Sequence, residues 1–144
     1  MIAALLREEN TLALATVDEQ GQACVAPLFY IADEDLTLFW LSSESSLHSR
    51  NLKREPMAAA TVYRHTDHWK EICGVQLRGS VSVISDPERR RALVEAYCER
   101  FLLGLLFKAA ISQCDLYSLR PVFIRSIDNS SVFGQKIEIE LEDE

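Results

Sequence analysis

Serine, histidine and basic residues gather in one short segment that follows the apolar run Leu36–Leu41. Hydroxyl groups donate hydrogen bonds to anions, and the first N–H groups of a helix lack internal partners at the positive end of the helix dipole. A helix beginning in this segment is therefore predicted to bind an anion, phosphate above all. The alternative is a plain helix start, with serine as the cap and the basic residues in solvent. The residues concerned are Ser42, Ser43, Ser45, Ser46, His48, Arg50, Lys53 and Arg54.

The remaining histidines and the cysteines indicate no second reactive site. His65 and His68 flank a polar turn beside Trp69, but no third metal ligand is near, so an exposed loop is expected. The cysteines form no CxxC pair and sit in apolar neighbourhoods, which favours buried free thiols. No Ser-His-Asp order or paired carboxylates stand out, so a hydrolase is not expected. The cysteines are Cys24, Cys73, Cys98 and Cys114.

Length and charge restrict the class of protein. The chain has 144 residues, 48% of them hydrophobic, which suits one domain spanning residues 1–144. Fifteen basic against 22 acidic residues give a formal net charge of −7, which argues against a broad nucleic-acid surface. No run reaches the about 20 apolar residues of a membrane helix, and the first residues do not resemble a signal peptide. We expect a soluble, cytoplasmic protein that binds neither nucleic acid nor membrane.

The first half of the chain predicts a short helix, three strands and the helix that carries the serine-rich segment. Short turns join the three strands, so we expect them to form an antiparallel meander, with Gly21 in a left-handed turn position. Pro56 marks the end of the second helix. The predicted elements are a helix at Met1–Glu9, strands at Thr11–Val17, Gln22–Ile31 and Leu36–Leu41, and a helix at Ser46–Glu55.

The second half predicts long strands and two further helices. Met57–Tyr63 is almost continuously apolar, which predicts a strand buried on both faces, and Gly74 and Gly79 interrupt a long strand at Trp69–Ile84. Ser85 and Glu88 have capping-box spacing at the start of a helix with an apolar stripe. A helix is predicted at Leu102–Ile111, buried either within the fold or against a partner chain. Closing strands are predicted at Cys114–Arg120, Val122–Ile127 and Lys136–Leu141.

These elements describe a mainly β protein with α insertions, and a sheet this long usually closes on itself. Nearly the whole chain, from about Leu5 to Leu141, resembles the pyridoxamine 5′-phosphate oxidase-like FMN-binding split barrels, and most of all a small, poorly characterised bacterial branch of them. The segments that carry the resemblance are LALATVDEQGQACVAPLFYIADEDLTLFWLS, SLHSRNLKREPMAAATVY, WKEICGVQLRGSVSVI and IDNSSVFGQKIEI.

The resemblance implies an antiparallel split β-barrel of the FMN-binding type, forming a homodimer with FMN at the subunit interface. In that family the second strand runs along the flavin, the end of the third strand contacts the ring and ribityl chain, and the next helix start holds the phosphate. The corresponding positions are Ala26, Pro27, Leu28, Phe29, Leu41, Ser42, Ser46, Leu47 and His48, with Arg50, Gln76, Phe133 and Lys136 as further cofactor contacts.

The sequence also departs from the oxidases. Leu47 and His48 stand where oxidases have arginine and lysine at the phosphate, and Arg50 or Lys136 would have to compensate. The C-terminal segment lacks the oxidases' tryptophan and arginine-rich stretch, so pyridoxamine phosphate oxidation is not expected. The resemblance implies an FMN-dependent oxidoreductase acting on an unidentified small molecule, with no side chain required as nucleophile or base. Alternatives are a non-catalytic flavin- or haem-binding or storage protein, and a structural dimerisation module.

Overall fold

A computed structural model describes residues 1–130 and 134–142. Within these residues the chain forms eight β-strands, four α-helices and one turn of 3₁₀ helix at Trp69–Glu71. The helices are α1 (Ile2–Glu8), α2 (Leu47–Arg54), α3 (Pro87–Arg100) and α4 (Leu105–Ile111). The strands are β1 (Thr11–Val17), β2 (Ala23–Phe29), β3 (Ile31–Ala32), β4 (Leu38–Ser42), β5 (Met57–Tyr63), β6 (Cys73–Val83), β7 (Asp115–Asp128) and β8 (Gln135–Glu140).

The strands form one antiparallel sheet in the order β2-β1-β5-β6-β7-β4-β3, with β8 paired to β7. Strands β2 and β3 lie at opposite ends of this order, yet only Tyr30 separates them along the chain. The sheet therefore curls until its two ends meet, which confirms the predicted mainly β, split-barrel fold. The expected antiparallel pairing of the first two strands is confirmed. The rest of the three-strand meander is wrong, because β4 pairs with β3 and β7 and not with β2.

Alternating apolar residues build the core inside the curl. Strand β1 buries Leu12, Leu14 and Thr16 and turns the residues between them outward, the period-two pattern of a strand with one buried face. Trp40 on β4 is fully buried and stacks on Tyr117 of β7, with ring centroids 5.9 Å apart. Each such buried side chain stabilises the fold by about 1.5–3 kcal/mol relative to exposure.

Helix α2 is anchored to the end of the barrel by polar contacts. It begins after Ser46 and ends before Pro56, close to the predicted bounds. The buried Asn51 side chain donates to Thr16 Oγ1 at 3.1 Å, and Arg54 donates to the carbonyl oxygen of Val17 at 2.5 Å. These two contacts tie α2 to β1 and thereby fix the serine-rich segment relative to the sheet.

Strand β5 has one exposed face, so its predicted burial on both faces is wrong. Ala58, Ala60 and Val62 are buried, whereas Met57 and Ala59 point outward. The sequence does not show this alternation of buried and exposed positions, because small apolar residues occupy both faces of the strand. The next strand, β6, begins at Cys73 and not at Trp69, since residues 69–71 form the 3₁₀ turn.

The β6–β7 pair contains a bulge. The register shifts between Arg78 and Gly79, where Arg78 pairs with Phe123 but Gly79 pairs with Pro121. A β-carbon at Gly79 would lie 1.9 Å from the Arg120 carbonyl oxygen, so this position requires glycine. The two closing strands predicted on either side of residue 121 are thus one bulged strand, β7.

Helix α3 is capped by Asp86, whose carboxylate accepts from the Arg89 N–H at 3.1 Å. The predicted Ser85 capping box is therefore wrong by one residue. A helix is confirmed within the predicted range Leu102–Ile111, but only from Leu105 onward. Phe107 in this helix is 55% exposed in the single chain, so the expected burial is not provided by the chain itself.

Candidate functional site

The serine-rich segment folds into a local hydrogen-bond network around His48. The imidazole Nε2 lies 2.8 Å from Ser42 Oγ and 3.2 Å from Ser46 Oγ. Ser46 Oγ in turn lies 2.7 Å from Ser49 Oγ and 2.8 Å from the Ser43 carbonyl oxygen. Ser42 and Ser49 are buried. We call residues 42, 43, 45, 46, 48 and 49 the serine–histidine network.

Burial lowers the pKa of His48 below its ordinary value, because desolvation disfavours the imidazolium. The histidine is therefore neutral at pH 7 and contributes hydrogen bonds but no positive charge. Ser46 occupies the N-cap position of α2 without a side-chain bond to a backbone N–H. Its hydroxyl bonds to other side chains, so the plain capping role is not the one observed.

Positive charge near this network comes from Arg50 and Lys53. These residues are one helical turn apart and line the same cleft of about 660 Å³. Side chains from β6 and β7 form the opposite wall, which is partly apolar and aromatic but also contains Ser82 and the acidic Asp115. We call this the helix cleft; its lining is Glu44, Ser45, Ser49, Arg50, Leu52, Lys53, Pro56, Val81, Ser82, Val83, Asp115 and Tyr117.

Tyr117 contributes a phenol to the inner wall of the helix cleft. Burial raises its pKa, and a hydrogen bond with Ser49 opposes that shift only in part. The phenol therefore remains protonated at neutral pH and can donate a hydrogen bond. Its ring stacks on Trp40, so the position of this donor is set by the core.

A second cleft of about 410 Å³ lies on the outer face of the sheet. The register aligns side chains in rows across the strands: Ala15 of β1 lies between Val25 and Ala59, and Ala59 lies next to Arg78. Methyl groups of the central strands form the floor, and larger side chains form the walls. We call this the alanine trough; its lining is Ala13, Ala15, Val25, Ala59, Ala60, Thr61, Gln76, Leu77, Arg78, Phe123 and Arg125.

One wall of the trough carries two arginines on a single aromatic ring. The guanidinium carbons of Arg78 and Arg125 lie 5.0 Å and 5.6 Å from the centroid of Phe123. Arg125 Nε also donates to Glu138 Oε1 at 2.7 Å, and Arg125 Nη1 lies 3.5 Å from Gln76 Oε1. The wall therefore combines an amide, an ion-paired arginine and a second arginine.

Most of the predicted cofactor residues divide between the start of α2 and the strand β2 with its neighbours, and of those that the structure describes only Arg50 and Gln76 line the helix cleft and the alanine trough, respectively. Ser42, Ser46 and His48 contact one another in the serine–histidine network, and Arg50 lies in the helix cleft next to it. Leu47, the first residue of α2, is half exposed, and Leu41 precedes Ser42 on β4 and is half-buried. These residues therefore form one local group at the start of α2.

Three of the remaining predicted residues, Pro27, Phe29 and Gln76, lie on the outer face of the sheet. On β2, Pro27 and Phe29 point outward while Ala26 and Leu28 are half-buried. Pro27 shares a cross-strand row with Gln76, through Ala13 and Thr61.

Two predicted contacts come from the C-terminal segment. Lys136 is exposed on β8 opposite Ile127. Phe133 lies outside the described residues. A single chain thus brings together Pro27 with Gln76 in one cross-strand row, and Ser42 with His48 at the start of α2, but places these two pairs in different regions of the molecule.

The sequence analysis includes Lys53 in the basic segment but not among the cofactor contacts, and it missed most of the trough. Lys53 follows Arg50 by three positions on a helix, a spacing that signals a shared face. Arg78 and Arg125 meet only through the β6–β7 register, for which the sequence carries no local signal. Across the chain as described, no three His, Cys, Asp or Glu side chains gather as metal ligands.

The comparison with protein families gives a match over most of the chain. Residues 1–125 match the family model described as pyridoxamine 5′-phosphate oxidase. A UPF0306 protein of Yersinia pseudotuberculosis is 29% identical over 138 residues, which cover 95% of this chain and 89% of that protein.

Solved structures share the fold. ChuZ of Campylobacter jejuni superposes with a TM-score of 0.82 at 18% identity, over 96% of this chain and 57% of that one. HutZ, the haem storage protein of Vibrio cholerae, superposes with a TM-score of 0.70 at 22% identity, over 83% of this chain and 87% of that one. At these identities the similarity establishes the fold and not the ligand.

None of the helices within residues 1–130 and 134–142 combines the length and apolar character that crossing a membrane requires. All four cysteines are free thiols.

Proposed function

Because the chain belongs to the pyridoxamine 5′-phosphate oxidase family, we propose that it binds FMN and acts as a flavin-dependent oxidoreductase on a small molecule. The observation that carries this proposal is the helix cleft, where Arg50 and Lys53 lie on one side and Val81, Val83 and Tyr117 form the apolar part of the other. The volume of about 660 Å³ lies within the range of cofactor sites. A ligand with an anionic tail and a large conjugated ring has the chemistry that this arrangement favours.

The residues of the helix cleft fit the parts of FMN. Arg50 and Lys53 would hold the phosphate, together with the hydroxyl of Ser45. The neutral His48 would act indirectly, by fixing Ser42 and Ser46 at the start of α2. Val81, Val83 and the Tyr117 phenol would shelter the ring from water. When bound, the flavin supplies the hydride and electron transfer, and the protein supplies position and electrostatics.

A homodimer would complete the site. The trough residues lie in a different cleft of the same chain, and an FMN bound at α2 would meet them on a second copy. Apolar side chains flank the trough and are well exposed, with Val25 at 73% and Tyr63 at 63%. Covering such a patch is a usual reason for association. We propose that the partner's outer face, with its Gln76, closes over the flavin and leaves room for the substrate.

A cytoplasmic location is part of this proposal. Four free cysteines and no disulfide are what a reducing compartment maintains. Pyridoxamine phosphate oxidation itself is not proposed, since the departures at Leu47 and His48 and in the C-terminal segment remove the oxidases' basic residues.

The first experiment compares FMN with riboflavin. We expect purified protein mixed with excess FMN and desalted to retain flavin absorbance near one per chain, and Arg50→Ala and Lys53→Ala each to weaken FMN binding about tenfold, or about 1.4 kcal/mol. Riboflavin binding should not change in these variants, because riboflavin has no phosphate. Lys108→Ala, an exposed lysine on α4, is the matched control. Equal losses for FMN and riboflavin, or no retained flavin, would exclude the phosphate assignment.

A non-catalytic flavin- or haem-storage protein is the second candidate, favoured by the fold shared with HutZ. Turnover separates the two functions. An oxidoreductase should oxidise NADH or NADPH continuously in the presence of an electron acceptor, whereas a storage protein should release its ligand without net redox change. A Soret band that appears on adding haem to flavin-free protein, with no flavin retained, would favour haem.

A further inference from the structure

We propose that the alanine trough binds a flat organic carboxylate and that Arg78 is the residue that recognises its anionic group. The placement of this ligand as the substrate rests on the proposed function, in which the trough faces the flavin. Recognition by Arg78 is nevertheless a property of the trough alone and can be measured without FMN.

The shape of the trough selects a flat ligand. Its floor consists of the methyl groups of Ala13, Ala15 and Ala59, with only Thr61 adding a larger side chain. From β2 to β6 the floor spans three strand spacings, about 14 Å. A conjugated ring system can lie on such a floor and bury both methyl surface and its own face, whereas a branched aliphatic molecule would contact it at few points.

The charge of the trough selects an anion. Arg125 is neutralised by Glu138 at 2.7 Å and is oriented by Gln76. Arg78 has no carboxylate partner within the residues that the structure describes. Glu140 follows in the same cross-strand row, but Phe123 stands between it and Arg78. One positive charge therefore remains uncompensated at the wall of an apolar cleft, in a protein whose net charge is −7.

Arg78 is also held in place before any ligand arrives. Its guanidinium packs on Phe123 at 5.0 Å, and its backbone is fixed on both sides by β5 and β7. A planar guanidinium offers two parallel N–H groups that match the two oxygens of a carboxylate. Because the ring restrains the side chain, less rotamer entropy is lost on binding than for a free surface arginine.

The test uses cinnamate and its neutral isostere cinnamamide as probes, titrated by calorimetry into full-length protein free of FMN. We expect the wild-type protein to bind cinnamate about tenfold more tightly than cinnamamide, the ratio for one charge-assisted contact. Arg78→Gln should bring this ratio close to one, and Arg78→Lys should restore part of it. Arg91→Gln is the matched control, because Arg91 is an exposed arginine on α3 outside the trough; the ratio in this variant should stay near the wild-type value.

Two results would overturn the proposal. One is an equal affinity of the wild-type protein for the two probes; the other is a ratio that Arg78→Gln leaves unchanged. If Arg78 instead pairs with an acidic residue of a second copy, Arg78→Gln would alter the sedimentation velocity of the protein while the probe ratio stays the same, and this also counts against it. If the protein retains no FMN but still binds cinnamate more tightly than cinnamamide, the proposed flavin function is excluded and the proposed carboxylate site is retained.

Discussion

The serine–histidine network and the alanine trough satisfy their polar groups in opposite ways. In the serine–histidine network, the hydroxyls of residues 42–49 bond to one another and to a neutral imidazole, so the polar atoms are occupied within one short segment. In the alanine trough, polar side chains line a wall above a floor of methyl groups, and Arg78 has no carboxylate partner among the residues that the structure describes. The first arrangement stabilises a local conformation; the second leaves interaction capacity for a ligand.

This difference shows that residue type alone does not identify the groups that face a ligand. His48, which stands out in the sequence, is neutral and hydrogen-bonds to Ser42 and Ser46. The positive charge in the neighbouring helix cleft comes from Arg50 and Lys53. The floor of the trough consists mainly of alanines, which carry no chemistry of their own. Its capacity for recognition arises from the register of five strands.

The largest expected effect comes from Gly79, which lies on β6 between the trough residue Arg78 and the helix-cleft residue Val81. Gly79→Ala would place a β-carbon 1.9 Å from the Arg120 carbonyl oxygen, so the β6–β7 backbones must separate. We expect the free energy of unfolding in urea to fall by about 3 kcal/mol or more and both clefts to lose their ligands. Gly104→Ala, with no atom within 4 Å of the new carbon, should cost less than about 1 kcal/mol. Similar losses for both variants would contradict the close-approach explanation.

Breaking the anchor of α2 should affect only one of the two regions. Asn51→Ala removes the buried donor to Thr16 Oγ1 and leaves that hydroxyl unpaired, which should cost about 2 kcal/mol in urea unfolding. Replacing both partners, as Asn51→Leu with Thr16→Val, should recover much of the loss because no polar atom is then orphaned. Cinnamate binding in the trough should persist in the folded single variant. Its disappearance would mean that the two regions are coupled.

Filling the trough should impair ligand binding in the trough and leave the stability of the fold nearly unchanged. Ala59→Leu places a larger side chain in the middle of the floor, and we expect cinnamate affinity to fall at least tenfold, about 1.4 kcal/mol. Stability should change by less than about 0.5 kcal/mol, since the side chain at this position points outward. Ala109→Leu on the exposed face of α4 is the control and should leave cinnamate affinity unaltered. Unchanged cinnamate affinity in Ala59→Leu would show that the ligand does not contact Ala59.

The smallest effect is the pH response of the serine–histidine network. The pKa of His48 is lower in the folded protein than in the unfolded chain, so folding favours the neutral imidazole. The stability that this provides is present above the unfolded pKa of about 6.5 and is lost as pH falls through the folded pKa. We expect the urea midpoint to fall more between pH 7 and pH 5 in the wild-type protein than in His48→Gln. Parallel pH profiles would show that His48 does not prefer its neutral form in the fold.

Local elements were predictable from the sequence because local chemistry determines them. The β-forming and apolar residues of Thr11–Val17 predict the bounds of β1, and Gly21 takes the expected left-handed turn conformation, with φ of 77°. Ser46 and Pro56 bracket α2 as predicted. The split-barrel class followed from the order of these elements together with the family resemblance.

Features that depend on distant parts of the chain were not predictable in the same way. The pairing of β4 with β7 joins residues nearly 80 positions apart, and no local pattern marks it. The predicted burial of Met57–Tyr63 on both faces includes the exposed Ala59, because an alanine next to buried apolar residues gives no sign of which face it occupies. The trough escaped prediction for the same reason, since it depends on the lateral alignment of five strands.

The stacking of Trp40 on Tyr117 has a consequence for how the chain folds. Trp40 on β4 and Tyr117 on β7 meet in the strand pair that closes the barrel, across a long loop whose closure entropy must be overcome before the contact forms. The only other tryptophan of the chain, Trp69, is exposed. In a Trp69→Phe protein, stopped-flow fluorescence would therefore report barrel closure itself. We expect that signal to develop after most far-ultraviolet circular dichroism has returned, and simultaneous recovery of the two signals would show that closure is not a late step.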